Sequence, residues 1–128
     1  MSSAVLDASA ILALLQNERG AERLTNEVLD AAIASTVNLA EVQSKLVSAG
    51  LDPDEAWEHA HSVVAAAQPF TSEQAKIAGS LIQHTAKFGL SLGDRSCLAL
   101  AIALKAEVYT TEQLWKNLKL GVPIHVIR

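Results

Sequence analysis

The chain has 128 residues, half of them apolar and 4% aromatic, with a net charge of −4 and a pI near 5.5. This length and apolar share suffice for one buried core, so a single domain spanning 1–128 is expected rather than a disordered or disulfide-held scaffold. The acid excess excludes a broad basic face for non-specific nucleic-acid binding, and the scarcity of aromatics excludes base stacking as the main recognition device. Cys97 is the one cysteine and cannot close an intrachain disulfide. The amino terminus lacks a secretory-signal pattern, and no apolar run approaches the ~18 residues of a membrane span, so a cytoplasmic protein with no membrane partner is expected.

The first strand-like run, Ala4-Val5-Leu6, ends on Asp7 and is followed by a helical pattern over 9–16. A second helical stretch covers 20–30, and 33–37 reads as the next strand. Helices over 38–49 and 53–66 follow. Between them, Gly50 suits a helix end, and Asp52 with Pro53 and Glu55 suits a helix start. A weaker strand candidate at 68–70 leads into a helical segment over 72–88. The chain then reads as helix 94–105, strand 107–110, helix 112–117 and strand 124–127. Short strands joined by crossover helices predict an α/β fold: a three-layer α/β/α sandwich around a central, mainly parallel sheet of four to five strands.

Asp7 ends the first strand, and ligands of open α/β sheets bind at the carboxyl ends of the strands. Three more acids, Glu41, Asp94 and Glu112, each stand at the start of a helical pattern. Each can be read as structural. Asp7 suits a helix cap, Glu41 completes an Asn38-Leu39-Ala40-Glu41 capping box and has Lys45 four residues on, Asp94 lies three after Ser91, and Glu112 follows a Thr cap. Capping groups are already available at Ser9, Asn38, Ser91 and Thr111, however, which leaves the acids surplus to capping. Parallel strands would bring them to one edge, where clustered carboxylates resist ionisation unless a cation compensates. All-oxygen ligation suits Mg²⁺ or Mn²⁺, one ion or two, and the chemistry that follows is phosphodiester hydrolysis.

Four segments carry a family resemblance: Val5-Leu6-Asp7-Ala8-Ser9-Ala10-Ile11-Leu12, Asn38-Leu39-Ala40-Glu41-Val42, the run from Leu90 through Gly93-Asp94-Arg95 to Ala101, and Val108-Tyr109-Thr110-Thr111-Glu112-Gln113-Leu114-Trp115. Together the chain resembles PIN-domain ribonucleases, and more narrowly the VapC-type toxins of bacterial toxin-antitoxin pairs. The resemblance implies a PIN-like sandwich, with Asp7, Glu41 and Asp94 matching the metal-binding acids and Ser9 a polar residue beside the first. Glu112 departs from the pattern, standing where the family usually has Asp after Thr-x, here Thr110-Thr111; its ligation through a water is left open, with Thr111 in support. The implied activity is a metal-dependent endoribonuclease acting on tRNA or rRNA, forming a homodimer and inhibited by a cognate antitoxin protein.

His59 and His61 lie on different helix faces without zinc-site spacing, His84 and His125 are isolated, and Cys97 reads as core. Trp57 and Trp115 are core or partner contacts. Arg95, Lys116 and Lys119 are either a basic rim guiding phosphate or solvated surface, and Leu24, Leu29, Trp57 and Val63 are core or a partner groove. Three alternatives stay open. A haloacid-dehalogenase-like phosphatase would want a second acid where Ser9 stands, a receiver domain would want an acid pair and a late Lys, and a catalytically silent PIN-like module would bind without cutting.

Overall fold

The computed structural model describes residues 3–128; Met1 and Ser2, part of the expected 1–128 domain, lie outside the described residues. Five strands, β1 (Ala4–Leu6), β2 (Ala32–Ser35), β3 (Ala66–Gln68), β4 (Glu107–Thr110) and β5 (Ile124–Val126), form one sheet in the order β3-β2-β1-β4-β5, every pairing parallel. Among the described residues, seven α-helices accompany them: α1 (Ala8–Leu15), α2 (Asn26–Asp30), α3 (Thr36–Ser48), α4 (Pro53–Ser62), α5 (Ser72–Ser80), α6 (Ile82–Thr85) and α7 (Leu92–Leu104).

The central strand is buried on both faces, as an apolar run without polar alternation requires. Its side chains part by the two-residue strand period. Ala4 and Leu6 pack with Ala32 and Ala34 of β2, Ile11 of α1, Leu39 and Val42 of α3 and Ala56 and Ala60 of α4. Val5 and Ile33 point the other way, onto Cys97, Leu98 and Ala101 of α7 with Leu81, Val108 and Trp115. Two cores on opposite faces of one sheet make the three-layer α/β/α sandwich that the element order predicts.

Several boundaries differ from the sequence reading. The stretch 20–30 is not one helix: Gly20 adopts φ 100° before a 3₁₀ turn at Ala21–Arg23, and Thr25 starts α2 afresh, its Oγ1 accepting from the Val28 amide at 3.3 Å. The segment 72–88 breaks at Leu81; Thr85 bonds back to the Leu81 carbonyl at 2.9 Å, and Gly89 ends the run at φ 71°. The third strand lies at 66–68 rather than 68–70, because its register against β2 pairs Ile33 with Ala66 and Ser35 with Gln68, which also ends the helix expected over 53–66 at Ser62. Strand β2 stops at Ser35, which caps α3 at Thr36 instead of continuing to Val37. Residues 112–117 give a 3₁₀ turn at Gln113–Asn117 that carries the buried Trp115 into the core. The division at 50–53 stands as read: Asp52 caps α4 with Pro53 in its first turn, and Gly50 follows α3 at φ 110°.

Candidate active site

Chain connections run from β1 outward to β2 and β3 on one side, then cross to β4 and β5 on the other. The order therefore reverses between β1 and β4, the switch point at which the carboxyl ends of the strands leave a crevice. Asp7, directly after β1, and Thr110, the last residue of β4, meet there. The Thr110 hydroxyl donates to Asp7 Oδ2 at 2.6 Å, while Asp7 Oδ1 accepts from the Ala10 amide at 2.8 Å and the Ser9 hydroxyl at 2.7 Å. Ser9 Oγ also accepts from the Thr111 amide at 3.0 Å, closing a small network over both strand ends.

Asp7 is thus itself the cap of α1, and the cap assigned to Ser9 is corrected: Ser9 serves Asp7 instead. Asn38 and Thr111 are not caps either, since Ser35 caps α3 and no side chain caps the turn after Glu112. Ser91 does cap α7, in a reciprocal box with Asp94: Asp94 N–H donates to Ser91 Oγ at 3.1 Å and Ser91 N–H to Asp94 Oδ2 at 2.9 Å. The acids at 7 and 94 are therefore used in capping, and capping does not set them apart from function.

Asp7 is only 2% exposed, and its carboxyl is pushed up to about 6. Burial is the largest cause; the hydrogen bonds from Thr110, Ala10 and Ser9 oppose it, and the Asp94 charge adds to it. No cation acts on it among these groups. Glu41, on α3, accepts at Oε1 from Asn38 Nδ2 at 2.7 Å, and Asn38 Nδ2 also donates to the Gly93 carbonyl at 3.0 Å, tying α3 to the start of α7. The buried thiol of Cys97 is raised well above its ordinary value by burial and then by the charges of Asp7, Asp94 and Glu41. Three carboxylates, two at the starts of α1 and α7 and Glu41 from the second turn of α3 rather than the helix start expected for it, thus share one neighbourhood. As placed, no group of three acids, histidines or cysteines among the described residues is close enough to hold a metal ion.

Glu112 stands apart. It is exposed and lines a 330 Å³ cavity on the outer side of Ser9, with Lys45, Thr111 and Arg128. Its amide donates to Thr110 Oγ1 at 3.1 Å, so its backbone, rather than its carboxylate, touches the Asp7 network. Arg95 is no rim residue: Nη1 donates to the Ala78 carbonyl at 2.8 Å and ties α7 to α5. Lys119 faces a different cavity with Phe88 and Leu118, and Lys116 lies by Gln113. Trp115 and Leu24 are core, Trp57 is partly exposed, and Leu29 and Val63 line an open 510 Å³ cavity with Leu14 and Leu15. His125, read as isolated, bonds Glu107 at 2.7 Å and stacks on Tyr109. Sequence reasoning missed Thr110, Asn38 and Gly93 as site residues. The strand period carried the signal for Thr110, since it shares a face with the buried Val108, and the three-residue spacing carried it for Asn38 beside Glu41.

The geometry defines a three-layer α/β protein with the buried carboxylate of Asp7 at the switch point of its sheet. The chain belongs to the PIN-domain family, whose model, described as PIN domain, matches residues 4–119. No curated protein matches it by sequence. Among solved structures it is similar to DNA-bound VapBC from Salmonella typhimurium, at 16% identity over 98% of each chain with a TM-score of 0.75. It is similar to Mycobacterium tuberculosis VapC20, a toxin that cleaves the sarcin-ricin loop, at 17% identity over 94% of this chain and 99% of that one, TM-score 0.74. It is also similar to VapBC2 from Rickettsia felis bound to a promoter DNA fragment, at 17% identity over 95% and 96%, TM-score 0.72. Among the described residues, no helix is long and apolar enough to cross a membrane.

Proposed function

We propose that this chain is a metal-dependent endoribonuclease, a single PIN domain acting as the VapC-type toxin of a toxin-antitoxin pair. The observation that carries the reading is Asp7, a buried carboxylate raised to about 6 with no cation acting on it, held at the sheet's switch point near two further acids. The donor set fits a hard divalent ion, because it consists of carboxylate oxygens and its buried charge lacks a counterion. Asp7, Glu41 and Asp94 would hold Mg²⁺ or Mn²⁺, with Glu112 taking part through water. A bound ion supplies the positive charge that activates water and neutralises the phosphate as a phosphodiester bond is hydrolysed.

The chain's own groups prepare this. Thr110 and Ser9 fix both oxygens of Asp7, Asn38 holds Glu41, and the Ser91 box holds Asp94. Lys45, in the cavity beyond Ser9, offers positive charge where an RNA backbone would approach an otherwise acidic chain, while Arg128 there is paired with Glu18 at 3.0 Å. The likeness to a sarcin-ricin-loop-cleaving toxin supports structured RNA, ribosomal or transfer, as the substrate, and the likeness to VapBC complexes supports an antitoxin partner. We assign the toxin to the cytoplasm as a homodimer. One observation favours a second reading, a PIN module that binds without cutting: the acids as placed do not close on an ion. Expressing the chain alone in a bacterial host, against Asp7→Asn, separates the two. Arrested growth with new RNA 5′ ends, absent in the variant, supports the nuclease; equal growth and unchanged ends support the binding module.

A further inference from the structure

Gly93 is the second residue of α7, and glycine is a poor choice inside a helix. Its backbone does not require it, because Gly93 is not among the positive-φ residues. Space requires it: a Cβ at 93 would lie 2.5 Å from Cδ, Oε1 and Oε2 of Glu41. By contrast, a Cβ at Gly79 of α5 would meet nothing within 4 Å. The Glu41 carboxylate therefore lies flat against the residue that precedes Asp94, on a site only glycine provides.

Asn38 holds it there. Asn38 is 1% exposed, and its Nδ2 spends both hydrogens on acceptors, Glu41 Oε1 and the Gly93 carbonyl. Those two acceptors also fix the amide's orientation, since the flipped form would face them with an oxygen. Asn38 Oδ1 is left buried without a protein partner. We infer that Gly93 and Asn38 are positioning residues, one vacating the volume and the other supplying the bond that together bring the Glu41 carboxylate from α3 onto the first turn of α7 next to Asp94. Their purpose rests on the proposed cation site: two acids on separate helices share an ion only if the helices are clasped where the acids sit. An alanine at 93 would cost the fold little, because the atoms it meets are the end of a flexible side chain, but it would turn Glu41 away.

The test uses the full chain, first metal-free and then with Mn²⁺ alone. In ¹⁵N-labelled metal-free protein, Gly93→Ala should move the Asn38 side-chain amide resonances toward their positions in Glu41→Ala, with the melting temperature within about 4 °C of wild type. Mn²⁺ affinity by calorimetry should fall about tenfold or more, as when a ligand's supporting partner is removed. Gly93→Ala should cost nothing further in a Glu41→Ala background, and Gly79→Ala should change neither readout. Wild-type Asn38 resonances and wild-type Mn²⁺ affinity in Gly93→Ala would overturn the positioning role. A wild-type chain that binds no Mn²⁺, with the Asn38 resonances still responding to Gly93→Ala, would instead overturn the metal-dependent function and with it the purpose assigned to the clasp.

Discussion

Asp7→Asn should stabilise the metal-free protein at neutral and alkaline pH. The Asp7 carboxyl has an ordinary value of 3.8 and is raised to about 6 in the fold, chiefly by burial. The folded state thus holds its proton more tightly than the unfolded one. The stability this gives is fully present below about pH 4 and is lost as pH rises through about 6. At 1.36 kcal/mol per pKa unit the loss amounts to about 3 kcal/mol at pH 8. Asparagine keeps the shape and an acceptor for Ala10 and Ser9 without the charge, and Thr110 Oγ1 can turn to accept from the new amide. For a chain of this length, 3 kcal/mol corresponds to about 10 °C. Calorimetric melting of metal-free wild type and Asp7→Asn should therefore diverge by about that amount at pH 8, variant higher, and converge near pH 4. Mn²⁺ should raise the wild type and leave the variant unmoved. An Asp7→Asn protein no more stable than wild type at pH 8, or one equally stabilised at pH 4, would mean that the buried Asp7 charge does not set this pH dependence.

Thr110→Val keeps the volume but removes the 2.6 Å donor to Asp7, so it should lower stability at pH 8 by about 2 kcal/mol and raise the Asp7 value further, read by the pH dependence of melting. Because Glu41 lies among the clustered acids and Glu112 in the exposed cavity beyond Ser9, Glu41→Gln should slow RNA cleavage about 100-fold and Glu112→Gln about tenfold or less, measured under single turnover. Similar losses in the two would return Glu112 to equal standing. Cys97, buried with its thiol raised by burial and by three carboxylates, should resist Ellman's reagent in the native chain at pH 8 and react only after unfolding.

The fold was legible because its signals are local. An apolar triplet such as Ala4-Val5-Leu6 needs cover on both faces, and the recurrence of such runs between helical patterns implies a parallel sheet. What was not legible depends on distant partners. β3 takes its position from register with β2, and Arg95 reaches the carbonyl of Ala78 on a helix that the sequence leaves at no fixed distance. In the site, the spacing brought Asp7 forward, yet the choice between Thr110 and Thr111 required carrying the strand period two residues past Val108. Glu41 and Gly93 are far apart in sequence, and only the packed helices reveal why the residue before Asp94 lacks a side chain. The assumption that another cap frees an acid for chemistry failed in physical terms, since Asp7 and Asp94 cap their helices and the Asp94 charge still acts on Asp7.

Metal dependence is decided by cleavage of RNA by the purified, antitoxin-free chain with Mg²⁺ or Mn²⁺ added or withheld. New RNA ends should appear only with the metal, vanish on chelation, and be absent in Asp7→Asn and Asp94→Asn at any metal concentration. Cleavage that persists with chelator present, or that either variant performs at the wild-type rate, would contradict it.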